Sequence, residues 1–125
     1  MIRPMIRTAA LAPVVLAATS AAPAARAATP FDGAWSVLIV TQNGNCDRAY
    51  RYGVSIRSGG VHYDGGVVNF TGRVQANGNV PVRATPGNAS ANGTGRLNRR
   101  EGQGRWSGQS GGSRCSGYWA AVRRG

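Results

Sequence analysis

The chain has 125 residues, with 19 Gly, 6 Pro, 7% aromatics and a formal net charge of +11 from 15 basic side chains against 4 acidic ones. That length holds one small domain, and the Gly and Pro content excludes a helical bundle, a coiled coil, a polytopic membrane protein and a multidomain enzyme. Every basic residue is Arg, and the acids are Asp32, Asp47, Asp64 and Glu101.

Residues 1–27 read as a cleavable export segment. Arg3 and Arg7 precede an apolar run through Leu11, Val14, Val15 and Leu16. A Pro-broken stretch then leads to Ala25-Arg26-Ala27, the small-x-small pattern of a Sec-type signal peptidase site. Pro13 and Pro23 interrupt a run that is already shorter than the roughly 20 apolar residues of a membrane span. No Cys follows the run to carry a lipid, and no adjacent Arg pair precedes it. Cleavage after Ala27 leaves residues 28–125 as a single domain carrying twelve Arg against four acids, a net charge of +8, in the periplasm or outside the cell.

From Phe31 onward apolar residues alternate with polar ones, and turn residues interrupt the pattern about every eight to twelve positions. Trp35 to Thr41 is the first strand. Tyr50, Tyr52, Val54 and Ile56 share one face of the second, opposite Arg51 and Arg57. A short strand at Val61 to Tyr63 follows. Val68, Phe70, Gly72 and Val74 then face away from Arg73, and Val80, Val82 and Ala84 face away from Arg83. Pro81 marks an edge, a bulge or a strand start. Ala89, Ala91, Gly93, Gly95 and Leu97 form a small-residue face opposite Arg96. The last two strands centre on Trp106, with Arg105 on the other parity, and on Trp119. The Gly-rich stretch Ser110-Gly111-Gly112-Ser113 between them reads as a hairpin loop.

The pattern predicts an all-β fold, a small antiparallel up-and-down β-barrel of about eight strands. Its inside would be apolar, with Arg51, Arg57, Arg73, Arg83, Arg96 and Arg105 outside. An open sheet or a two-sheet sandwich is the alternative. In an oxidising compartment Cys46 and Cys115 are expected to form one disulfide, two free buried thiols being the alternative. With an even number of strands the last strand starts where the first one ends, so this bond would clip together the pair that closes the barrel.

All three Trp occur as Gly-x-Trp: Gly33-Ala34-Trp35, Gly104-Arg105-Trp106 and Gly117-Tyr118-Trp119. Each Gly lies on the face of its own Trp, leaving room for a ring to fold over it. Trp35, Tyr50, Tyr52, Phe70, Trp106 and Trp119 are thus the candidate barrel core, or the aromatic wall of a ligand site. Ala91, Gly93 and Gly95 either open a cavity or give room to Trp106.

Phe31-Asp32-Gly33-Ala34-Trp35 resembles the first-strand Gly-x-Trp of the lipocalin and avidin β-barrels. In those barrels a basic residue late in the chain packs across this Trp and closes one end. The resemblance assigns that barrel-end role to Arg123, by cation–π and packing contact. The spacing of Trp35 and Cys46 is similar to that of small periplasmic proteinase inhibitors built on such a barrel, which implies an inhibitor of a secreted hydrolase as a second possible role. Together with Cys46-Asp47-Arg48-Ala49-Tyr50-Arg51-Tyr52 and Cys115-Ser116-Gly117-Tyr118-Trp119, the whole pattern most resembles small exported bacterial proteins of unassigned function.

Catalytic chemistry finds little to use. His62 alternates with inward residues and is expected to face solvent, and no spacing pairs it with a carboxylate. Nor does any spacing pair the four carboxylates for glycoside cleavage. No enzyme, metal site or cofactor is expected, and haem would find only His62 as an axial ligand. The Arg surface suits anionic polysaccharide or lipopolysaccharide, since the guanidinium forks pair with sulfate, phosphate or carboxylate. Sequence-specific nucleic-acid binding lacks a recognisable motif. The expected molecule is a monomeric, non-enzymatic binding barrel, taking a small ligand inside or a polyanion outside, with a protein-partner role as the alternative.

Overall fold

The period-two alternation becomes eight antiparallel strands: β1 (Gly33–Asn43), β2 (Ala49–Arg57), β3 (Gly60–Tyr63), β4 (Asn69–Gly72), β5 (Asn79–Thr85), β6 (Ser90–Leu97), β7 (Glu101–Ser110) and β8 (Ser113–Arg123). The computed structural model describes residues 27–63, 65, 69–85 and 87–125. The expected export segment lies outside the described residues except for Ala27, and so do Asp64 and Val68.

The strand order is β3-β2-β1-β8-β7-β6-β5-β4, a meander whose first and last strands pair. β1 and β8 run antiparallel from Trp35 opposite Arg123 to Val40 opposite Tyr118, and a bulge near Thr41 and Asn43 ends the regular register. Cys46 and Cys115 are disulfide-bonded with their Cα atoms 6.1 Å apart, tying the β1–β2 loop to the start of β8. The barrel is nearly closed. Among the described residues a single bridge, Gly60 to Arg73, links the β3 side to the β4 side, supported by a 2.7 Å bond from the Val74 amide to the Gly59 carbonyl.

Two tight hairpins use the residues such turns demand. Ser58 and Gly59 have φ of 50° and 80°, and Gly111 and Gly112 have 55° and 84°, the paired positive values that match the twist of flanking strands. Pro81 is internal to β5, but β4 pairing stops at Gly72 opposite Val82, one residue short of it. A strand side without an N–H cannot extend the ladder. The fourth strand, expected to continue through Val74, therefore leaves the β5 ladder after Gly72. Val74 crosses to the β2–β3 turn instead and stays buried.

The six Arg expected outside, Arg51, Arg57, Arg73, Arg83, Arg96 and Arg105, are all exposed. The outside is not uniformly basic, however. Along β1 and β8 it carries Leu38, Val40, Ala120, Tyr118 (39% exposed) and Val122 (56%).

A candidate ligand cup

Every strand alternates in direction, so the barrel has one end where β1 starts and another where β1 stops. The first end is plugged. Thr29-Pro30-Phe31-Asp32 turns beneath it, with Pro30 at the second position that suits its fixed φ, and the Asp32 amide donates to the Thr29 carbonyl at 3.2 Å. Phe31 is buried, and the Trp35 indole N–H donates to its carbonyl at 2.8 Å. The Asp32 carboxylate accepts from the Thr29 hydroxyl at 2.6 Å and from the Ser58 and Gly59 amides at 2.7 and 3.0 Å, fastening this segment to the β2–β3 turn. The Thr29 hydroxyl first, and then the two amides, hold its carboxyl down at about 2.

Arg123 completes the plug. Its guanidinium lies 5.6 Å from the Trp35 ring centroid. One terminal nitrogen donates to the carbonyls of Pro30 (2.7 Å) and Arg99 (3.1 Å), and the other donates to the carbonyl of Asp32. Above this floor Trp35 (2% exposed), Ile56, Val61, Val74, Val80, Leu97, Trp119 and Ala121 form a continuous buried core, and all of these but Val74 also line the lower part of the cavity above it. Trp119 owes its place to two glycines on neighbouring strands. A methyl group at Gly104, its cross-strand partner, would lie 2.5 Å from the indole, and one at Gly95 would also collide with it. Gly104 thus serves the ring of the partner strand, whereas Gly117, the register partner of Trp106, lies against β1, where a methyl group would collide with the Val40 carbonyl. Gly95 makes room for Trp119 and not for Trp106.

The other end is open. Inward residues there, including Ile39, Tyr52, Tyr63, Phe70, Val82 and Trp106, are only partly buried, and Tyr50 is 50% exposed. They surround a cavity of about 440 Å³ that runs from the rim at Cys46 and Ser110 down to Trp35 and Trp119. Ala84, Ala91 and Gly93 contribute to its wall with side chains too small to fill it. The volume falls within the ordinary range of small-molecule sites. All six aromatic residues expected as core or ligand wall line the cavity, with Trp35 and Trp119 at its floor. Tyr63, inward by the parity of β3 but not among those six, also lines it and makes an edge contact with Tyr52 at 5.4 Å. Trp106 is fixed by a 3.0 Å bond from its indole N–H to the Val40 carbonyl, beside the β1 bulge.

The Arg expected to bind a polyanion divide into two sets. Arg51, Arg83 and Arg105 stand on separate parts of the wall, and Arg83 is engaged with Asn92 at 3.1 Å. Arg57, Arg73 and Arg96 lie toward the plugged end, where strand direction also brings Arg99, Arg100, Arg123 and Arg124. Seven of the twelve described Arg share that end with only Asp32 and Glu101. His62 is exposed on β3. No helix among the described residues is long and apolar enough to cross a membrane. No protein-family model matches this chain, and neither does any curated protein or solved structure.

Proposed function

We propose that this protein is an exported, non-catalytic carrier that holds a small, largely apolar molecule in the cup. The observation that carries this reading is the contrast between the two halves of one barrel interior. Toward the plugged end the inward side chains pack into a buried core; above that core a cavity of about 440 Å³ leaves apolar and aromatic walls uncovered. Hydrophobic burial of a ligand would remove that surface from water. The test is titration with the neutral fluorophore N-phenyl-1-naphthylamine. Saturable enhancement at one molecule per chain is expected, with loss of binding in Ala91→Phe, whose ring would occupy the cavity. Enhancement that persists unchanged in a folded Ala91→Phe variant would place the dye elsewhere and defeat the reading.

A second reading concerns the outside, and the clustering of Arg at the plugged end favours it: that end as the contact for an anionic polysaccharide or lipopolysaccharide. The Asp32 carboxylate is taken up by the β2–β3 turn, which leaves the neighbouring guanidinium groups little local neutralisation. On immobilised heparin, replacing Arg57, Arg96 and Arg99 by Ser should lower the eluting salt more than replacing Arg51, Arg83 and Arg105. Equal effects of the two sets would reduce the contact to general charge.

A further inference from the structure

The cup belongs to a strongly basic protein, yet its lining is not basic. Every Arg assigned to the middle of a strand points outward, no Arg lines the cavity, and among the described residues the one charged group on its wall is Asp47 at the rim. A carboxylate or phosphate drawn into this space would lose its water and meet no cation, an unfavourable exchange. A buried ammonium would fare little better, since Asp47 is exposed at the rim and not set in the depth.

One wall offers a different kind of polar contact. Tyr50 and Tyr52 are stacked with ring centroids 5.5 Å apart and planes 21° from parallel, and Tyr63 meets Tyr52 edge-on at 5.4 Å. All three rings line the cavity. Among the described residues none of their hydroxyls has a hydrogen-bond partner, so each is free to donate. The Tyr52 phenol is pushed above its ordinary value by burial and by the neighbouring Tyr63, Tyr50 and Asp47, which keeps it a protonated donor.

Building on the carrier reading above, we infer that the cup selects uncharged aromatic molecules bearing an acceptor oxygen, such as a carbonyl or ether, and rejects their anionic counterparts. The aromatic body packs against the Tyr ladder, Phe70 and Trp106. The acceptor oxygen takes a hydrogen bond from a phenol near the rim. The outer Arg then have no part in holding cargo.

Three matched probes test this by calorimetry at pH 7: methyl 2-naphthoate, naphthalene, and the 2-naphthoate anion. The ester is expected to bind at least ten-fold more tightly than the anion and several-fold more tightly than naphthalene. The triple variant Y50F/Y52F/Y63F keeps the rings and removes the donors; it should bring the ester down to the level of naphthalene and leave naphthalene unchanged. If the anion binds as tightly as the ester, the charge selection is wrong while the carrier reading stands. If the triple variant binds the ester as the parent does, the phenols are not the acceptor's partners. If no probe binds, the carrier reading falls and this inference falls with it.

Discussion

The Trp119 indole lies against Gly104, its partner across the β7–β8 ladder, so closely that a methyl group at Gly104 would stand 2.5 Å from the ring. A methyl there would also collide with the Thr94 carbonyl, which is backbone and cannot swing away. Gly104→Ala is expected to lower stability by about 1–3 kcal/mol, the usual cost of overpacking a filled core. On the exposed face of β2, Gly53 has nothing within 4 Å of such a methyl group and no positive φ. Gly53→Ala should therefore be neutral or stabilising by up to about 1 kcal/mol through the unfolded chain. Urea midpoints of the two variants, measured side by side, check the contrast.

Arg123 ties three carbonyls from two segments to the face of Trp35. Hydrogen bonds from a charged donor contribute about 1.5–3 kcal/mol each at most, and they are not additive. Arg123→Ala should cost about 2–3 kcal/mol on that scale and red-shift Trp35 emission as the floor admits water. Lys cannot reproduce the planar fork, so Arg123→Lys should recover less than half of the loss. Full recovery would mean that charge alone matters at this position.

Asp32 sets an acid limit. Its carboxyl is held at about 2, against an ordinary value of 3.8, by the Thr29 hydroxyl and the turn amides. A carboxylate lowered in the folded state contributes stability that is fully present above its unfolded value and is lost as pH falls through its folded value. The stability profile should therefore decline between about pH 4 and pH 2, with a flatter decline in Asp32→Asn. Urea midpoints taken at half-unit pH steps would reveal this, and identical slopes would count against the assignment.

The Cys46–Cys115 bond spans 69 positions. Closing a loop of that size restricts the unfolded chain by about 4 kcal/mol. Reduction, or the double change Cys46→Ser and Cys115→Ser, is expected to lower the melting temperature by well over ten degrees. It should also free the 44–48 loop at the rim, so that N-phenyl-1-naphthylamine affinity falls before the fold is lost.

Alternation made the strands and their faces legible, because a period of two assigns each side chain to one side of the wall. The closing pair was legible too, from the strand count and the two cysteines. Depth along the barrel axis was not. Ile56 and Tyr50 share a parity on β2, yet Ile56 is buried near the plug while Tyr50 is half exposed at the rim. Only the plug at Thr29 to Asp32, built by contacts with residues far along the chain, makes the two ends different. The clustering of Arg57, Arg96 and Arg124 at one end could have been found by counting strand directions. The match of Gly104 to Trp119 could not, since it depends on the register between two strands and not on spacing within one.

The incomplete seam between β3 and β4 sets how the wall can yield. At the plugged end it is stitched by the Gly60–Arg73 bridge and by the Val74 amide bonded to the Gly59 carbonyl. Among the described residues no ladder joins the rest of β3 to β4, and Tyr63 and Phe70 flank this side of the cavity. Backbone with few cross-strand bonds opens at the lowest free energy, so hydrogen exchange should be fastest at the rimward ends of these two strands. The circumference is thus expected to yield more at the top than at the bottom. Such a vessel would be strict about how deep a guest reaches and lenient about how wide it is.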